Sequence, residues 1–200
     1  MKKLFILITA VSFSVCASAQ TLLDRFVSSL EKTGVQAVIS YNDGNGPEEG
    51  TMSLSGSRYR FEDSETIIWF DGKTMWRGQD YGADMIEEIY ISTPTPQEQF
   101  MLNPITALKH HDGFSVTDDG RSTITLKAIG ESVDGITLLT VKADEKTLAP
   151  KTITVECDPE FDLPVITITV KEFKTGVKFD KGTFTCNVKD YPDADIIDLR

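Results

Sequence analysis

Histidine and cysteine are scarce in this chain, with two of the former and three of the latter among 200 residues. Positive charge is also short: 20 Lys and Arg stand against 31 Asp and Glu, a formal net charge of −11. Phosphate backbones are held by clustered Lys and Arg that displace counterions, so this balance excludes nucleic acid as a partner. It also disfavours docking on anionic lipid through a broad basic patch. His110 and His111 are neighbours on an expected helix, where their side chains diverge by about 100° and read as a solvated helix end. No Gly-x-Ser-x-Gly elbow, phosphate-cradling Gly-Lys-Ser/Thr or metal-ligand spacing occurs. Glu48-Glu49 and Glu87-Glu88 are sequence neighbours, which a strand points to opposite faces, whereas glycosidases need carboxylates facing across a substrate. The acidic positions of NDGNGPEE do not follow the ligand order of a calcium loop. The expectation is no enzyme, no catalytic residues, no metal and no cofactor.

Long apolar runs are missing except at the start. Lys2-Lys3, the run from Leu4 to Val15 and Ala17-Ser18-Ala19 before Gln20 form an export-signal pattern. The run is shorter than the roughly 20 residues that span a bilayer. Residues 1–19 are therefore expected to be a signal peptide, and residues 20–200 a single exported soluble domain. Cleavage removes two lysines and no acids, leaving 18 basic against 31 acidic residues and a charge of −13. Cys16 falls inside the signal, and Val15 before it fits a lipidation site poorly. Cys157 and Cys186 would meet an oxidising compartment. Both lie in strand-like segments, KTITVEC and GTFTCNV, which leaves two readings: one disulfide, or two buried thiols.

What is abundant is β-forming sequence. After one amphipathic helix, in which Leu22, Leu23, Phe26, Val27 and Leu30 recur at helical spacing with Thr21 as N-cap, the period becomes two. VQAVISY, GTMSLSG, RYRFE, TIIWF, KTMWRG, EEIYIS, FSVT, STITLKAI, ITLLTVKA, PKTITVEC, PVITITVKEF and GTFTCNV all read as strands. Asp71-Gly72, Asp118-Asp119-Gly120, Asp134-Gly135 and the Asn42 to Gly46 run supply turn chemistry, so neighbours should be antiparallel. The stretch from Thr93 to His111 lacks alternation and reads as one or two short helices among Pro94, Pro96 and Pro104. The predicted class is mainly β with α, a large curved antiparallel sheet curling toward a barrel or half-barrel, with helices covering a sheet face. Both tryptophans and many aromatics crowd residues 52–76, and TIIWF is apolar on both faces. One face is core; the other needs a cover or a ligand.

These residues resemble a known family. GTMSL (50–54), RYRF (58–61) and FDGKTMW (70–76) are similar to the strand-turn-strand core of periplasmic lipoprotein carriers of the LolA type. Phe100-Met101-Leu102 resembles that family's lid, and GTFTCNV with Ile197-Asp198-Leu199-Arg200 its closing strand and tail. The pattern looks like the divergent version seen in Bacteroidota-type bacteria. Carriers of the better-known kind have an Arg-Pro where Gly56-Ser57 stands here, so Arg58 and Arg60 are the neighbouring candidates for holding the lid.

The resemblance implies an open half-barrel, lidded by helices, around an apolar cavity for the acyl chains of lipoproteins. It implies acylated lipoproteins as cargo, an inner-membrane release complex as donor and an outer-membrane acceptor, for a protein working as a monomer without permanent membrane insertion. The residues expected to line the cavity are Phe61, Ile67, Trp69, Met75 and Trp76, with Phe100, Met101 and Leu102 as lid. Period two admits only one parity of each strand to a cavity, so part of this set should face outward. An exported module for another amphiphile and a structural β-domain with a closed core are the rival readings.

Overall fold

The computed structural model describes residues 21–31, 34–42, 46–81, 85–95, 98–99, 103, 108–109, 111–161 and 165–200. The expected signal peptide, Cys16 and His110 lie outside these residues, as do Phe100, Met101 and Leu102.

The helix α1 (Leu22–Glu31) begins where a cap is available. The Asp24 N–H donates to Thr21 Oγ1 (3.1 Å), and the Thr21 N–H donates back to Asp24 Oδ2 (3.2 Å), closing a capping box. Its apolar stripe of Leu22, Leu23, Phe26 and Leu30 is buried. The Leu22 N–H also donates to Asp118 Oδ2 (3.2 Å), tying the helix start to the sheet.

Twelve strands follow: β1 (Gly34–Asn42), β2 (Pro47–Ser55), β3 (Arg58–Glu62), β4 (Thr66–Phe70), β5 (Met75–Gln79), β6 (Glu88–Ser92), β7 (Phe114–Asp118), β8 (Thr123–Ala128), β9 (Ile136–Ala143), β10 (Pro150–Cys157), β11 (Ile166–Val177) and β12 (Asp195–Asp198). Among the described residues they form one sheet in the order β12-β6-β5-β4-β3-β2-β1-β11-β10-β9-β8-β7. It is a single open, curved sheet, consistent with a half-barrel. Two meanders, β1 to β6 and β7 to β11, are sewn together at the centre by the antiparallel β1–β11 pair. The tight turns use the residues expected of them. Asp134 and Gly135 have φ of 50° and 80° between the bridged Val133 and Ile136, the left-handed pair a two-residue hairpin turn requires.

Two expectations need correction. GTFTCNV is not a strand: residues 182–185 run as turns and a bend, with three-residue bonds from the Thr183 N–H to the Asp180 carbonyl and the Thr185 N–H to the Gly182 carbonyl. It alternates because it lies across a sheet face, burying Phe184 and Cys186 while Thr185 and Asn187 face water. The pattern comes from packing rather than ladder pairing. The closing strand is instead β12, and it pairs parallel to β6, so the sheet is antiparallel except at that edge. A long crossover makes this possible: residues 178–194 strap the outer face between the end of β11 and the start of β12.

Period two divides the apolar residues between the two faces. One face joins α1 in the main core, where Val35, Ala37 and Ile39 meet Leu54, Tyr59, Phe61, Ile68, Phe70 and Met75 on one side and Ile153, Val155, Leu139 and Ile124 on the other. The opposite face carries a second cluster of Ile67, Trp69, Ile89, Ile91 and Cys186, with Trp76, Val188 and Tyr191 packed against it. TIIWF is thus apolar on both faces because both are covered, one by the core beneath α1 and the other by the C-terminal strap.

Candidate functional site

Strands β1, β2, β10 and β11 meet at the centre of the α1 face, and their inward side chains leave a cavity of about 40 Å³. Val35, Ala37 and Ile39 of β1 sit across from Leu54 and Met52 of β2, in the register Val35↔Leu54 and Ala37↔Met52. Ile153, Ile168, Val170 and Phe173 form the other wall, with Ile153↔Ile168 paired directly. Pro150 and Asn103 complete the lining.

Asn103 comes from the stretch between β6 and β7, and local hydrogen bonds show how it is set. Thr95 Oγ1 accepts from the Glu98 N–H (3.2 Å), and the Glu98 carboxylate accepts from the Thr95 N–H (2.7 Å), a second capping box. Bonds at four-residue spacing follow, from the Gln99 N–H to the Thr95 carbonyl and the Asn103 N–H to the Gln99 carbonyl. Residues 98–99 and 108–109 are helical. Leu108, 1% exposed, joins the main core, so Leu108 and α1 both pack on the apolar face. Asn103 is 4% exposed, and its Oδ1 is buried with no hydrogen-bond partner. The Tyr59 hydroxyl, also buried, donates to the Met75 sulfur at 3.7 Å; burial foremost, then the Glu98 charge, push its pKa up.

The five expected cavity residues do not come together. Phe61 and Met75 lie in the main core on the same face as the cavity, although neither lines it. Ile67, Trp69 and Trp76 lie on the opposite face in the cluster beneath the strap, where Trp69 and Trp76 are direct cross-strand partners. The lid residues Phe100, Met101 and Leu102 fall outside the described residues. Arg58 and Arg60 share the parity of Trp69, so they too point away from the cavity. Arg58 lies over the Phe184 ring at 5.0 Å and donates to Ser55 Oγ at 3.2 Å, while Arg60 pairs with Glu62 at 2.8 Å. Arg58 therefore grips the strap. Cys157 and Cys186 are not joined in a disulfide, because Cys157 packs against the main core and Cys186 lies in the cluster on the other face. Burial foremost, then the Asp190 charge, push the Cys186 thiol up to about 11, which keeps it protonated and unreactive.

Sequence reasoning misses the centre of the site. By alternation alone Ala37, Ile39, Ile153 and Ile168 are ordinary strand interior, and Asn103 is part of a helix. The available signal is one polar residue inside the apolar run Phe-Met-Leu-Asn-Pro. Two polar hollows sit on the strap side: about 430 Å³ between Asp63, Glu65, Asp80 and Asp193, and about 350 Å³ between Arg60, Trp69 and Thr185. Among the described residues no group of three or more His, Cys, Asp or Glu is placed to hold a metal, and no helix is long and apolar enough to cross a membrane.

No family model and no curated protein matches this sequence. Solved structures do share its fold. An uncharacterized conserved protein from Thermus thermophilus superposes with a TM-score of 0.55 at 13% identity, over 88% of this chain and 96% of that one. The Pseudomonas aeruginosa MucA/MucB complex matches at 0.49 and 10% identity, over 84% of this chain and 60% of that one. A LolA superfamily protein from Nitrosomonas europaea matches at 0.41 and 9% identity, over 82% of this chain and 96% of that one. At 13% identity the likeness to the Thermus thermophilus protein is one of fold, and a LolA superfamily structure is among those this chain is similar to.

Proposed function

We propose that this protein is a periplasmic carrier that takes the acyl chains of lipoproteins onto the apolar face packed by α1, Asn103 and Leu108. The carrying observation is a continuous apolar face at the centre of an open sheet, roofed by separate elements rather than by a second sheet. A buried CH₂ is worth about 0.8 kcal/mol, so a long chain left in water loses on the order of 10 kcal/mol. A multiply acylated protein crossing an aqueous compartment needs a partner that removes those chains and later gives them back. The sequence resemblance to LolA-type carriers supports this reading and supplies its finer parts: acylated lipoproteins as cargo, an inner-membrane release complex as donor, an outer-membrane acceptor, and a monomer with no chemical step.

The cavity volume specifies how such a carrier works. Pockets that enclose a drug-sized ligand run to about 300–1,000 Å³, and 40 Å³ is an order of magnitude less. On this reading the structure is the closed state, and loading requires the roof to lift. Internal contacts of α1, Leu108 and Asn103 are exchanged for chain contacts, so binding is the difference between two buried interfaces and stays weak enough for release.

The same small volume favours the second reading, a β-domain whose core is simply closed. Titration of the protein spanning residues 20–200 with a fluorescent dodecanoyl probe separates the two. Saturable binding, competed by fatty acid, is the result expected of a carrier. Absence of saturable binding, with no chloroform-extractable lipid in protein purified from the periplasm, would establish the closed-core domain instead.

A further inference from the structure

Asn103 is an anomaly in its setting. Val35, Ala37, Ile39, Met52, Leu54 and Ile153 give the cavity around it only apolar atoms, yet its Oδ1 is dry and has no hydrogen-bond partner. Buried polar groups are paired in folded proteins, and one left unpaired costs the desolvation of that group. A buried water is held by two to four polar partners, and among the described lining residues Asn103 alone has a polar side chain. An apolar residue of similar volume would serve the closed state better, so the amide carbonyl is matched to something absent from that state.

We propose that Asn103 selects acyl chains attached through an amide. Its Oδ1 accepts from the N–H at the head of the chain, while the methylenes replace roof contacts along β1, β2, β10 and β11. An ester at the same place offers only acceptors and leaves Oδ1 unpaired. The amide and ester of one acid have nearly the same shape and apolar area, so the discrimination belongs to the hydrogen bond. Sites built to bond a donor reject the analogue that lacks it, because their own buried group is then stranded. This inference rests on the carrier reading and names the chemistry of its cargo.

The test is displacement of the dodecanoyl probe from the wild-type protein by N-methyldodecanamide and by methyl dodecanoate. A third arm uses a tetrapeptide N-acylated with the same chain. The amide should displace at roughly one-tenth the concentration of the ester, the discrimination expected of one buried hydrogen bond. In Asn103→Leu the two should become equal. A peptide-linked amide stronger than the small amide identifies a protein-borne source; equality identifies a small lipid. Equal displacement by amide and ester on the wild-type protein overturns the proposal while leaving carriage intact. So does an amide preference that survives Asn103→Leu. If neither compound nor the probe binds, both the carrier reading and this inference fail.

Discussion

At the scale of single residues, the described part of the fold holds one side-chain group at a loss and several at a gain. Asn103 Oδ1 is the loss. Removing a buried, unsatisfied acceptor returns about 1–3 kcal/mol. Asn103→Leu is therefore expected to raise the melting temperature of the ligand-free protein, against the usual direction for a core substitution. Calorimetry of the two proteins decides it, and a lower melting temperature in the variant would mean that Oδ1 is satisfied in the closed state. Asp119 is a gain. Its carboxylate accepts from the backbone N–H groups of Thr123, Ser122 and Arg121 in the β7–β8 turn, which hold its pKa well below the ordinary 3.8. A carboxyl whose folded pKa is depressed stabilises above the unfolded value, and that stability is lost as the pH falls through the folded value. Asp119→Asn should thus lower the melting temperature at about pH 6, with the difference from wild type shrinking on acidification below about 3.8. A difference that grows on acidification would reverse the sign of this argument.

At the scale of elements, much was legible in advance and the failures have physical causes. Eleven of the strand segments were visible because their side chains alternate and turn residues separate them, and α1 because Thr21 precedes a helical stripe. The face each strand turns inward was less legible. TIIWF offers Ile68 and Phe70 or Ile67 and Trp69 equally, and only the strap, far along the chain, determines which pair joins α1. GTFTCNV misled for the same reason: packing on a sheet gives the same alternation as pairing within it. The misplacement of Trp69 leads to a test. Replacing a buried Trp by Ala costs about 3–5 kcal/mol, and here the loss falls between β4 and Tyr191, whose ring meets Trp69 at 5.9 Å. Trp69→Ala should open residues 178–194 to limited proteolysis while probe affinity stays within about two-fold. Met52→Lys, on the cavity wall, should abolish probe binding and leave the strap protected. The opposite pattern would put the binding face under the strap.

At the scale of the whole molecule, charge and architecture act together. A carrier must open an apolar face in water and approach bilayers without remaining on them. The net charge of −11 becomes −13 if residues 1–19 are removed, and self-repulsion of that size keeps such a protein dispersed and away from anionic headgroups. The sheet's ends, β7 and β12, do not pair with one another, and α1 is tied to the sheet at its start by the Leu22–Asp118 bond. The repulsion is electrostatic and should be screened: the Debye length falls from about 30 Å at 0.01 M salt to about 3 Å at 1 M. Unloaded protein is therefore expected to stay in the supernatant with phosphatidylglycerol vesicles at low salt, and to sediment with them measurably only at high salt. Phosphatidylcholine vesicles, which carry no net charge, should show a much weaker salt dependence. Sedimentation with the anionic vesicles at low salt that disappears at high salt would identify local attraction instead, and the acidic balance would then have no part in keeping the protein off the membrane.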